Sequence, residues 1–189
     1  MIENIQLEVA KINDIDGILA LQERYLVSNL SEEEKASGFV TTPFTIQQLT
    51  EVIQKEELFI AKDNEKIIAY IFAGSWDFFK QWPIFSHMMS LFADLTFLDF
   101  EITATNSFQY GPICIQKEYR GKRLIALFFE FMRIRMVQKY PLSLTFINKS
   151  NIPSVKAHTE KLQWTIIGGF QFNNNDYFIL AYDMTQQVS

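Results

Sequence analysis

From Ile5 to Ala10 apolar and polar residues alternate, the period of a strand with one buried face. Ile15, Ile18, Leu19, Leu21 or Gln22, Tyr25 and Leu26 then recur at helical spacing, with Asn13 or Asp14 placed to cap that helix. The polar run Ser31–Lys35 reads as a short helical turn ending near Gly38. Thr45 followed by Gln48 has the form of a capping box, opening a helix through Leu49, Val52 and Ile53. Leu58–Lys62 and Lys66–Ala73 are β-branched and apolar, and Asp63-Asn64-Glu65 between them predicts a tight hairpin. Trp76–Asn106 holds eight aromatic rings between Trp76 and Phe100, with Pro83 dividing two short helices. Phe108–Gln116 is a strand. The residues from about 121 to 139 form a helix apolar on nearly every side, hence central and buried, and Pro141 stops it. Leu142–Ile147 is another strand, Asn151 caps a helix with Pro153 in its first turn, and Thr165–Phe172 pairs with Tyr177–Tyr182 across Asn173–Asp176. The pattern is α/β, with about six to seven strands and helices between them.

The polar junction between strand 108–116 and the long helix carries the chemistry. Gly121 sits among Lys117, Arg120, Lys122 and Arg123, just before Leu124 and Ile125 open the helix. A strand that enters a helix through a glycine turn presents outward amides, and the helix dipole favours an anion there. A phosphate or pyrophosphate is the natural ligand. No Gly-x-x-x-x-Gly-Lys-Ser/Thr occurs, and the turn has one glycine where a dinucleotide fingerprint needs three, so neither nucleotide class applies.

What the junction does resemble is motif A of the GNAT superfamily of acyl-CoA N-acyltransferases. The matching residues are Ile115, Tyr119, Arg120, Gly121, Lys122 and the helix that follows. The pattern departs at Glu118, Arg123 and Ile125, the last two where small residues are usual. A second motif of that family resembles Asn151, Ser154, His158, Lys161, Leu162 and Trp164, with Gln163-Trp164 in place of Gly-Phe and a helix one residue longer. The two motifs cover about residues 108–184. The resemblance implies a single GNAT domain over 1–189, its mixed central sheet of about six to seven strands flanked by helices, with Trp76–Asn106 an insertion between the third and fourth strands of the common core. The insertion's aromatic density suits core, an acceptor pocket or a subunit interface.

The family's chemistry, carried over by position, implies transfer of an acetyl group from acetyl-CoA to a primary amine of a small molecule. Pantetheine would pair with the backbone of Ile113, Cys114 and Ile115. The pyrophosphate would rest on the amides of Arg120, Gly121, Lys122, Arg123, Leu124 and Ile125. Asn151 and Ser154 would face the pantetheine arm, Asn151 being equally apt as a plain helix cap. His158 stands where the family's acid stands, and Tyr110, Asp99 and Glu101 are weaker candidates for the base, acting through water. Two other functions fit the same residues: an acyl-CoA-binding module with little turnover, and a protein or peptide acetyltransferase.

Composition narrows the remainder. At 189 residues and 48% apolar, with 18 phenylalanines, the chain is long enough to bury a core. Its net charge of −5 argues against nucleic acid as a partner, so the basic turn serves a small anion. Cys114 is the sole cysteine and lies in an apolar strand, reading as a buried hydrophobe in a reducing cytoplasm. His87 and His158 have no metal-ligand spacing, so no metal is expected. No apolar run is long enough to span a bilayer, and the opening Met1–Gln6 lacks a signal-peptide layout. A homodimer is a candidate assembly.

Overall fold

The computed structural model describes residues 4–188, which fall into two compact units. Residues 1–3, read above for a targeting signal, lie outside the described residues. One unit runs to Ala73 and takes in Gly111–Met132; the other is Gly74–Tyr110 with Arg133 onward.

In the first unit, β1 (Ile5–Val9), β2 (Leu58–Asp63) and β3 (Lys66–Gly74) pair antiparallel, with Leu7 opposite Ala61 and Ile60 opposite Tyr70. Leu58–Ala61 and Ile68–Ala73 are fully buried, as runs of consecutive apolar residues require. Asn64 turns the hairpin with φ 55°, a conformation asparagine tolerates. Three helices, α1 (Ile15–Tyr25), α2 (Glu32–Lys35) and α3 (Ile46–Gln54), connect β1 to β2. Capping boxes open α2 at Ser31 and α3 at Thr45, the latter with Gln48 as the sequence predicts. Asp14 stands at the N-cap position of α1 as expected, but its side chain makes no cap hydrogen bond. Its carboxylate accepts from the Lys11 amide at 2.8 Å and pairs with Lys62 Nζ at 2.8 Å, so a 3₁₀ turn at Ile12–Asp14 leads into the helix instead.

The second unit begins with the aromatic insertion: α4 (Trp76–Phe79), α5 (Pro83–Ser90), and a hairpin of β4 (Thr96–Phe97) and β5 (Phe100–Glu101). It closes with β7 (Leu142–Asn148), α7 (Ile152–Lys156), β8 (Thr165–Phe172) and β9 (Asn175–Asp183). The insertion covers one face of these strands. Phe85 meets Phe146 at 5.0 Å between ring centroids, His87 meets Phe170 at 5.4 Å, and Trp76 donates its indole N–H to Ser107 at 3.1 Å. Leu95 lies where a Cβ on Gly168 would come within 2.9 Å, which makes glycine the fitting residue on β8. Most of the aromatic rings therefore serve as core.

One strand, β6 (Ser107–Ile115), belongs to both units. It pairs parallel with β7 in the register Ser107↔Leu142 to Gln109↔Leu144. The seven-stranded order is β1-β2-β3-β6-β7-β9-β8, a mixed sheet flanked by helices. After β6 comes α6 (Leu124–Met136), shorter than the 121–139 expected. Nor is it buried all round: Leu124, Phe128, Phe129 and Met132 are buried, but Leu127 and Ile134 are about half exposed. Arg133, in the last turn of α6, is buried and donates to the Met184 carbonyl at 2.6 Å.

Candidate functional site

The basic turn is built by residues distant in sequence. Gln116 donates its amide to the Ile68 carbonyl at 2.8 Å, which holds the end of β6 against β3. The next amide, of Lys117, donates to the Tyr25 hydroxyl at 2.8 Å. A 3₁₀ turn follows at Lys117–Tyr119, where the Tyr119 hydroxyl donates to Asp63 Oδ2 and Glu118 pairs with Arg24 at 3.2 Å. Arg120 turns back into the protein. Its Nε donates to the Ile115 carbonyl at 2.7 Å, its Nη1 donates to the Ser37 carbonyl, and its guanidinium lies 4.9 Å from the Tyr25 ring centre. This cation is engaged in holding the turn and is not a free phosphate ligand.

What the turn leaves open is Gly121, Lys122 and Arg123, all exposed. Gly121 has φ 75°, and a Cβ there would meet nothing within 4 Å. Arg123 has φ 64°, the left-handed conformation in a residue with a Cβ. Lys122 Nζ stands 5.7 Å from the Tyr119 ring centre. Leu124 is buried and anchors the start of α6, and Ile125 is half-buried. Behind the turn, Ile113 is half-buried, and Cys114 and Ile115 are buried. Burial pushes the Cys114 thiol up to about 12, so it stays a protonated side chain.

The other predicted residues lie in the second unit. Asn151 is buried and its Oδ1 accepts from the Ser154 amide at 3.4 Å, so it caps α7. Ser154 in turn offers its carbonyl to His158 Nδ1 at 2.7 Å. A neutral imidazole held this way carries its proton on Nδ1, and Nε2 is then an acceptor. That atom is buried and has no hydrogen-bond partner among the described residues. Burial drives the His158 pKa down to about 4, against the pull of the Ser154 carbonyl. The acid role expected from its position needs an imidazolium, which this environment disfavours. Tyr110 lies 5.5 Å from the His158 ring and 4.9 Å from Trp164. It is fully buried, and burial raises its hydroxyl above the ordinary range, so the phenolate a base needs is not formed near pH 7. Asp99 and Glu101 are exposed on the β4–β5 hairpin.

Around His158 the helix widens into a π turn over Ala157–Lys161, closed by the Leu162 amide on the Ala157 carbonyl at 3.2 Å. That turn absorbs the extra residue seen in the sequence motif. Gln163, where the motif has glycine, has φ 59°. The residues missed by sequence reading are Tyr25, Ser37 and Asp63, separated from the turn by 92, 83 and 56 positions respectively, with no local signal to reveal them.

Comparison with solved structures agrees with this architecture over nearly the whole chain. An N-acetyltransferase from Staphylococcus aureus superposes with a TM-score of 0.63 at 18% identity, covering 96% of this chain and 99% of that one. The fold is that of the GNAT acetyltransferases. An agmatine N-acetyltransferase shares this fold with a TM-score of 0.65 at 11% identity, covering 95% and 99% of the two chains. The NatC complex, solved with Gag peptide and CoA, matches with a TM-score of 0.59 at 14% identity, covering 95% and 98%. No protein-family model and no curated protein matches the sequence. Among the described residues of this GNAT-fold protein, no cluster of His, Cys, Asp and Glu could hold a metal ion. No helix among them is long and apolar enough to cross a membrane.

Proposed function

We propose that this GNAT-fold protein moves an acetyl group from acetyl-CoA to a primary amine of a small molecule. The observation that carries the reading is the open turn at Gly121–Arg123, with two left-handed residues and two exposed cations before the helix. Amides of a turn in this conformation converge on an anion, and the α6 dipole adds to the attraction. In this reading the amides of Gly121 to Ile125 take the pyrophosphate, while Lys122 and Arg123 supply charge. The backbone of Ile113–Ile115 takes the pantetheine arm. Arg120 positions the turn from behind. Asn151 and Ser154 act first through the α7 cap.

In direct transfer the amine attacks as a neutral base, the C–N bond forms as C–S breaks, and the thiolate takes a proton as the amine loses one. His158 is unprotonated near neutral pH and Tyr110 holds its proton too firmly to give it readily. In the proposal both protons therefore exchange with solvent, and the buried histidine and tyrosine shape the second unit. That same observation favours a second reading, an acyl-CoA-binding module with little turnover. Calorimetric titration with acetyl-CoA, CoA and ATP tests the first step, with micromolar binding of acetyl-CoA and not ATP expected. Release of free thiol with a panel of amines, agmatine among them, then separates enzyme from module. A basic peptide that outcompetes every small amine would move the acceptor to proteins.

A further inference from the structure

Two neighbouring residues at the end of α1 hold the turn that precedes Gly121. The Tyr25 hydroxyl accepts from the Lys117 amide at 2.8 Å, the Tyr25 ring centre lies 4.9 Å from the Arg120 guanidinium, and Arg24 pairs with Glu118 at 3.2 Å. Tyr25 is buried, and the Arg24 guanidinium lies 5.4 Å from the same ring centre. The helix that carries it is fixed in turn. Ile18 and Leu21 are buried, and Gln22 exchanges hydrogen bonds with the Phe44 backbone at 2.8 and 3.2 Å. Past the helix end, the Val40 amide donates to the Tyr25 carbonyl at 3.0 Å. All of these contacts fall within the first unit.

The amides of Lys117, Tyr119 and Arg120 are all engaged within the protein: the first by Tyr25, the second by the Gln116 carbonyl at 2.9 Å, the third by the Lys117 carbonyl at 3.2 Å. The last two are ordinary bonds of a 3₁₀ turn and form wherever such a turn forms. The first differs, because its acceptor is a side chain 92 positions away. Left without that acceptor, a partly buried amide would swing to find another, and the turn would move with it. With the amide fixed, the backbone enters Gly121 in one direction. An anion site of this kind is made of amide directions, so the residue that sets the entry direction also sets the site.

We propose that Tyr25 is a positioning residue for the phosphate turn, its hydroxyl holding the backbone at Lys117 so that the amides from Gly121 onward converge on pyrophosphate. It acts through the turn and touches neither ligand nor reacting atoms. This role rests on the acyl-CoA reading of the turn, and adds to it a residue of α1 that lies in neither sequence motif.

The test is NMR titration of the whole protein and its Tyr25→Phe variant with acetyl-CoA, inorganic pyrophosphate and S-acetylpantetheine, which carries the acyl arm without phosphate. Tyr25→Phe keeps the ring and removes only the hydroxyl. Acetyl-CoA and pyrophosphate are expected to bind it about fivefold more weakly, the scale of one neutral hydrogen bond, with S-acetylpantetheine unchanged. Tyr25→Leu, which removes the ring and its cation contacts as well, should weaken the two phosphate ligands by about tenfold or more. Unchanged affinity for acetyl-CoA and pyrophosphate in Tyr25→Phe would overturn the role and leave the acyl-CoA reading standing. An equal loss for all three ligands would do the same, being the mark of a tyrosine that supports the whole unit. If the wild type takes pyrophosphate but not acetyl-CoA, that reading fails and the pyrophosphate affinities alone decide the role. A wild type that takes neither overturns both.

Discussion

At the scale of single residues, the informative positions are those where a side chain occupies a glycine's conformation. Arg123 and Gln163 stand where the motifs carry glycine, and both keep positive φ, 64° and 59°. Each holds a conformation that glycine adopts freely, although its own side chain carries a Cβ. An L-residue there costs about 1–2 kcal/mol, part of which glycine returns as unfolded-state entropy. Arg123→Gly should therefore stabilise the protein by about 0.5–1 kcal/mol in denaturant unfolding. It should also make acetyl-CoA binding less sensitive to salt, because one exposed cation is gone. Destabilisation would show that the arginine side chain makes a contact outweighing its strain. Gly121→Val tests the opposite sense. Space is available for the side chain but φ 75° is hostile to a β-branched residue, so the turn must change shape. A loss of about tenfold or more in acetyl-CoA affinity with a still cooperative unfolding transition is expected; unaltered affinity would remove the turn from the site.

At the scale of elements, Arg120 joins three of them: the end of β6, the α2–α3 connection at Ser37, and α1 through Tyr25. Arg120→Ala removes two hydrogen bonds and a cation–π contact, a loss of about 1–3 kcal/mol concentrated on one loop. Hydrogen exchange should quicken for peptides covering residues 33–42 and 115–125 and stay unchanged in β8 and β9. Uniform acceleration would mean the arginine supports the whole fold and not the turn. The same element shows why sequence reading reached only part of the site. Strand and helix periods, the Thr45–Gln48 box and the Asp63–Glu65 hairpin are local, and they stand where the pattern put them. The tethers from Tyr25, Ser37 and Asp63 are tertiary, and no spacing encodes them. Asp14 looked like a helix cap because nothing nearby revealed that Lys62 would claim its carboxylate. The long helix read as buried all round because apolar composition cannot tell which of Leu124, Leu127 and Phe128 would face solvent.

At the scale of the whole molecule, one buried ring gives the proton balance of folding a step of its own. His158 is 2% exposed, and its pKa falls from 6.5 to about 4 because burial penalises the cation. Above pH 6.5 the ring is neutral in folded and unfolded chains alike, and it adds no pH dependence. Between 6.5 and 4 the unfolded chain binds a proton that the folded chain refuses, so stability falls as pH falls through that window. Below about 4 both states are protonated and this contribution levels off. The depression corresponds to about 3 kcal/mol over the window. Carboxylates also titrate there, but they do so in any variant, and the comparison with His158→Phe cancels them. Phenylalanine fills the space among Tyr110 and Trp164 and cannot take a proton. The variant should match or fall short of wild type in denaturant unfolding at about pH 7.5, gain on it steadily toward about pH 4.5, and show no further relative gain below pH 4. Parallel pH profiles for the two proteins would mean that the histidine is hydrated in solution. Its Nε2 would then be open to a role in proton transfer that burial otherwise denies it.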